Sequence, residues 1–256
     1  AISIYFPLIR GYHGTVSDSV YPPRIFRQVM PDLALNLQSL QNALAACATE
    51  DRTPALLAVS KTQLAERVAE CAALGQRAFG ENYVQEAVAK ITALAPQELE
   101  WHLIGPLQSN KCKTVAEHFA WVQTVDREKI VPLLAQYRPA SMAPLNVLIQ
   151  INIDEEPGKS GCSPDSAAKL ADLIDSFPRL RLRGLMAIPD PAHSQNGVAF
   201  ERMQALYRTL QLRHPQMDTL SMGMSDDYPI AIRHGATLVR VGSALFGPRP
   251  PHSEDT

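Results

Sequence analysis

No uninterrupted apolar run in this 256-residue chain approaches the roughly 18 residues that a membrane-crossing helix needs. Stretches such as Ala55 to Val59 end after a few positions, and no membrane partner is expected. Cysteine is scarce. Cys47, Cys71, Cys112 and Cys162 form no Cys-x-x-Cys pair and have no histidine at ligand spacing, so neither a metal centre nor a disulfide scaffold is indicated. Free thiols in a reducing cytoplasm are the expectation. An excess of one charge is missing too. Lys and Arg total 24 against 26 Asp and Glu, a formal net charge of −2, which removes any whole-chain electrostatic case for nucleic acid. What remains is an ordinary soluble composition, 46% hydrophobic and 20% charged, on a length that suits one large domain or two small ones.

Residues 1–29 carry no sustained period of 2 or 3.6. Pro7, Pro22, Pro23, Gly11 and Gly14 interrupt them, and the short apolar run precedes rather than follows the charge, unlike a signal peptide. They are expected to be a poorly ordered or non-native leader. Met30 opens a well-patterned segment, read as one domain over 30–247, and 248–256, with three prolines, is expected to be a flexible tail.

Within that domain Leu33, Leu37, Leu40 and Leu44 mark an amphipathic first helix. Eight short apolar strand candidates follow, at 55–60, 78–79, 100–104, 120–122, 146–153, 182–187, 219–222 and 237–241. Helical stretches separate them, at 64–74, 82–95, 109–119, 127–137, 164–177, 198–214 and 226–234. A strict βα order implies a parallel sheet, and eight units favour a closed (β/α)8 barrel of TIM type with an extra N-terminal helix. A doubly wound open sheet is the alternative.

Chemistry in such a barrel gathers where the strands end. The first strand ends in Ala58-Val59-Ser60-Lys61-Thr62, and the chain has only seven lysines, the other six on predicted helices or loops. Desolvation at a strand end would favour a neutral amine fit for Schiff-base chemistry with a carbonyl, whereas a snorkelling lysine is the plainer reading. Ser221, Gly223, Met224 and Ser225 lead into a helix near Asp226, and Gly242 and Ser243 follow the last strand. These are positions where barrels often cradle phosphate, although Ser225 would also serve as an ordinary helix cap. A rim lysine beside such a cradle suggests a ligand carrying both an aldehyde and a phosphate. Gly158-Lys159-Ser160 lacks the upstream glycine of a P-loop, since Ile153 stands there. Asp226-Asp227 fits a first helical turn better than a metal pair, and His102 suits a hydrogen-bonded pocket residue better than a general base.

Together with Phe79-Gly80-Glu81-Asn82-Tyr83, Trp101-His102-Leu103-Ile104-Gly105 and Arg240-Val241-Gly242-Ser243-Ala244-Leu245-Phe246-Gly247, these segments resemble the pyridoxal phosphate homeostasis protein family. The resemblance runs from about Leu33 to Gly247. It implies a single barrel like the N-terminal domain of alanine racemases, with pyridoxal 5′-phosphate held on Lys61 as an aldimine. By the same resemblance Ser225, Gly242 and Ser243 bind the phosphate, Arg240 lies near the pyridine nitrogen, and Asn82 and Met222 line the ring pocket. The implied role is intracellular vitamin B6 homeostasis without substrate turnover, in a cytoplasmic monomer with apo-enzymes as transient partners. Two other readings compete: an amino-acid racemase using the same cofactor, and a cofactor-free Schiff-base aldolase acting on a phosphosugar. Against the racemase, the second acid/base group in the racemases so resembled is a tyrosine from an additional β domain, and none is expected so soon after Gly247.

Overall fold

The alternation read from the sequence becomes a ring. In the computed structural model, which describes residues 32–48 and 53–247, eight parallel strands pair in chain order and the eighth closes on the first. They are β1 (Ala55–Val59), β2 (Ala78–Glu81), β3 (Glu100–Leu103), β4 (Trp121–Val125), β5 (Leu145–Ile151), β6 (Leu180–Ala187), β7 (Thr219–Ser221) and β8 (Leu238–Val241). The open-sheet alternative is thereby excluded. The helices are α1 (Leu33–Ala46), α2 (Ala65–Ala73), α3 (Val84–Ala93), α4 (Cys112–His118), α5 (Ile130–Tyr137), α6 (Ala167–Asp175), α7 (Pro191–Gln195), α8 (Val198–Gln211), α9 (Tyr228–Arg233) and α10 (Ser243–Phe246). The expected leader and tail lie outside the described residues.

Helix α1 starts where Asp32 accepts hydrogen bonds from the Ala34 and Leu35 N–H groups, and it buries Leu33, Leu37, Leu40 and Leu44, the stripe read from the sequence. Its Asn36 side chain donates to the Leu245 carbonyl of α10 at 3.0 Å, so α1 helps cover the junction between β8 and β1. Side chains along each strand alternate between two environments. Ala58, Phe79, Leu103 and Val122 pack with the helices in the main core, whereas Leu57, Ile104 and Leu238 form a separate small cluster inside the barrel. Trp121, Leu148 and Met186 form another.

The β5–β6 register shifts between Val147 and Leu148, and Gly184 sits at the shift with φ +148°. A Cβ there would fall 1.8 Å from the Thr219 carbonyl oxygen, so only glycine lets β6 and β7 approach this closely. Among the described residues no helix is long and apolar enough to cross a membrane. The four cysteines are free, and burial pushes the Cys71 thiol up to about 12 and the Cys162 thiol up to about 11, disfavouring the thiolate.

Candidate functional site

Strand register decides which loops meet. Val59 is level with Gly80 of β2, and Ala58 with Val241 of β8. Lys61, two residues past Val59, therefore stands between Asn82, two past Gly80, and the Gly242-Ser243 turn. Across that turn the Ser243 hydroxyl lies 3.1 Å from the Ser225 hydroxyl, which also accepts from the Ala244 N–H at 3.5 Å. One arc of the C-terminal rim, running from β7 through β8 and β1 to β2, thus gathers Ser225, Gly242, Ser243, Lys61 and Asn82.

The segment carrying Lys61 is strained and pinned. Thr62 takes φ +65°, uncommon for a β-branched residue, and its N–H donates to Glu86 Oε1 at 2.6 Å. Glu86 is held in turn by Lys90 Nζ at 2.7 Å, and the same ammonium donates to Glu81 Oε1 at 2.8 Å and to the Ser60 carbonyl at 2.6 Å. The Ser60 hydroxyl donates to Glu81 Oε1 at 2.5 Å. Burial drives the Glu81 carboxyl above its ordinary range, against the pull of Lys90. Sequence reasoning placed Lys90 on a helix, correctly, but not its ammonium at the rim. The signal available was Glu86 four residues earlier, together with a carboxylate, Glu81, closing an apolar strand.

Several rim atoms are buried without a hydrogen-bond partner: Thr62 Oγ1, Glu81 Oε2 and Asn82 Oδ1. Asn82 also lines a cavity of about 230 Å³ with Ile104, Pro106, Gln150, Lys159, Ser160 and Ile188. The β3 loop closes against it because Gly105 has no side chain; a Cβ would sit 2.1 Å from the Asn82 carbonyl oxygen. At Gly242 a Cβ would meet the Val59 carbonyl oxygen at 3.3 Å, so bulk there presses on the end of β1.

Arg240 and Met222 lie deeper. Met222 is fully buried in the main core, among the side chains that pack with the helices. Arg240 is buried inside the barrel. Its guanidinium donates to the Ser221 carbonyl, the Ser221 hydroxyl and the Ala187 carbonyl, each at 2.8 Å, and burial lowers its pKa to about 10. His102 is buried toward the other mouth of the barrel, bonded to Glu100 and Gln123 and stacked on Trp121, and burial holds its pKa down. A cavity of about 380 Å³ opens at that N-terminal mouth. Its charged groups answer one another, Arg183 pairing with Asp218 and lying over the Trp121 ring. The rim at the strands' C-terminal ends, with its unpartnered oxygens, is the candidate site.

The family model of the alanine racemase N-terminal domain matches residues 33–250. A protein of Escherichia coli K12 named pyridoxal phosphate homeostasis protein is 51% identical over 230 residues, covering 86% of this chain and 98% of its own. The chain belongs to the pyridoxal phosphate homeostasis protein family. Its counterpart of that name in Haemophilus influenzae is 52% identical over 226 residues, covering 84% of this chain and 94% of its own. Among solved structures, family member PipY of Synechococcus elongatus, described with PLP bound, superposes with a TM-score of 0.74 at 34% identity, covering 84% of this chain and all of PipY. The family resemblance read from the rim motifs is borne out, and so is the barrel.

Proposed function

We propose that this protein holds pyridoxal 5′-phosphate on Lys61 and serves vitamin B6 homeostasis without turning over a substrate. The observation that carries the reading is the rim arc, where strand register brings together a lysine, two facing serine hydroxyls and Asn82, whose Oδ1 is buried without a partner. When bound, the cofactor supplies an aldehyde that condenses with an amine, and a phosphate that needs hydrogen-bond donors. The residues present fit both ends. Ser225 and Ser243 offer hydroxyls to the phosphate, and Gly242 keeps their turn against β1. Arg240 has five N–H bonds, of which three are taken, leaving two for a ring acceptor above it. Asn82 and Met222 are read as lining the ring pocket, Met222 from the main core. The Glu81–Lys90–Glu86 network fixes the backbone on either side of Lys61. Lys90 itself is a poor nucleophile, because its three N–H bonds already reach three acceptors. The protein is read as cytoplasmic and monomeric, one domain over 30–247, with apo-enzymes as transient partners.

Borohydride reduction of the loaded protein followed by peptide mass spectrometry tests the attachment. The adduct is expected on Lys61; an adduct mainly on Lys90 or Lys159 would overturn the assignment.

Racemase activity is expected to be absent. Racemisation moves a proton at the substrate Cα from both faces and needs two placed acid/base groups. Lys61 could serve one. Of the two residues that could supply the other, His102 is unavailable, because it is buried toward the opposite mouth with both ring nitrogens engaged, and Tyr83, exposed next to Asn82, is the one the assay must exclude. A cationic Arg240 at the pyridine nitrogen would also disfavour ring protonation and weaken the electron sink. Chiral chromatography after incubating loaded protein with L-alanine should show D-alanine no faster than free cofactor produces it. Lys61-dependent formation well above that background would make the protein an enzyme.

A further inference from the structure

A column of five polar side chains runs through the barrel from one mouth toward the other. Barrel interiors are ordinarily filled by branched apolar residues, and a buried polar column is tolerated only when every member is satisfied. Here the hydrogen positions are forced from both ends. Arg240 can only donate, so the Ser221 hydroxyl accepts from it at 2.8 Å and must send its own hydrogen to Gln123 Oε1 at 2.7 Å. Gln123 therefore turns its Nε2 toward His102 Nδ1 at 2.9 Å, which must accept. The His102 proton is then on Nε2, donating to Glu100 Oε1 at 2.9 Å, and a carboxylate can only accept. Flipping the Gln123 amide would leave the Ser221 hydrogen without its acceptor, and would require either a charged, fully buried His102 or a His102 Nε2 facing Glu100 without a proton. The depressed pKa of His102 agrees with this single neutral tautomer.

We propose that Gln123 is a positioning residue for Arg240, acting through the Ser221 hydroxyl, with His102 and Glu100 fixing its amide orientation. By taking the Ser221 hydrogen, Gln123 turns an oxygen lone pair toward Arg240. That contact, with the Ser221 and Ala187 carbonyls, holds the guanidinium plane so that its remaining N–H bonds face the cofactor end. The inference rests on the reading that Arg240 meets bound pyridoxal phosphate there.

The test is a double-mutant cycle on the full-length protein, with Gln123→Leu, Ser221→Ala and the pair. Its readouts are pyridoxal phosphate affinity by titration and the visible circular dichroism of the bound cofactor, which reports how the ring is held. Gln123→Leu is expected to weaken binding about 10-fold, the scale of one buried charge-assisted hydrogen bond, and to alter the dichroic band. If Gln123 acts through Ser221, the double variant should match Ser221→Ala alone. Gln123→Glu, which keeps an acceptor toward Ser221, should restore affinity to within about 3-fold of the wild type on the same scale. Additive effects, or a Gln123→Leu protein with unchanged affinity and dichroism, would overturn the proposal. Should Gln123→Leu fail to fold, unchanged binding and dichroism in Ser221→Ala would overturn it equally. A wild-type protein that binds no pyridoxal phosphate would instead remove the functional reading beneath it.

Discussion

Lys61→Ala protein should lose the cofactor's visible absorbance band on gel filtration and yield no borohydride-trapped adduct, while its far-ultraviolet circular dichroism stays that of the wild type. Lys90 will not substitute for the missing amine, since its ammonium is tied to Glu81, Glu86 and the Ser60 carbonyl. If Ser225 and Ser243 donate to the phosphate as proposed, weak, reversible binding should persist and be displaced by inorganic phosphate. A visible band of wild-type intensity in the variant would mean that the aldehyde is captured elsewhere, and the whole rim assignment would fall with it.

The largest expected loss of stability comes from Lys90→Met. The Lys90 and Glu81 side chains are almost wholly buried, and removing the ammonium leaves Glu81 in the rim with only the Ser60 hydroxyl donating to it. Breaking a buried pair from one side typically costs about 3–5 kcal/mol, to be read from urea denaturation against the wild type. The loss should depend on pH in a definite direction. Glu81 is already shifted upward by burial, and without Lys90 it shifts further. A carboxyl whose folded pKa exceeds its unfolded value binds more protons folded than unfolded, so the variant should gain stability as pH falls and lose it as pH rises through the folded pKa. Adding Glu81→Gln should recover much of the loss. Equal destabilisation at all pH values, or none, would show that the Glu81 charge is not what Lys90 balances.

Strand order, barrel closure and the rim position of Lys61 were legible because each depends on local pattern: short apolar runs, helical stripes and a polar break where each strand ends. The strand ends themselves moved by a few residues; β4 continues to Val125 through Gln123 and Thr124, two polar residues in succession that broke the apolar run. Helix α7 escaped notice although Asp190 and Pro191 make a readable start, with the Asp190 carboxylate accepting from the Ala192 N–H. Helix α10, at four residues, is too short to show a period. The roles of Gln123 and Ser221 were illegible for a different reason. Each acts on a partner 19 to 98 residues away, and nothing in local spacing says which polar side chains will share the barrel axis. Arg240 and Met222, grouped with the rim by resemblance, are both buried, the one inside the barrel and the other in the main core.

The rim arc spans the place where the first strand to be made meets the last. Lys61 and Asn82 follow β1 and β2, whereas Ser225, Gly242 and Ser243 come from the segments around β8, which pairs with β7 through a single register position and with β1 through four. During synthesis the lysine would emerge long before the serines that complete the proposed pocket, so a half-made chain would lack the full set of ligand contacts. Ligand that binds only the finished ring adds its free energy to the folded state by mass action, and here that gain falls on the seam. Loading should therefore slow the peeling of β8 from β1 more than it slows opening elsewhere, making the small molecule a clasp on the join between the two ends of the ring.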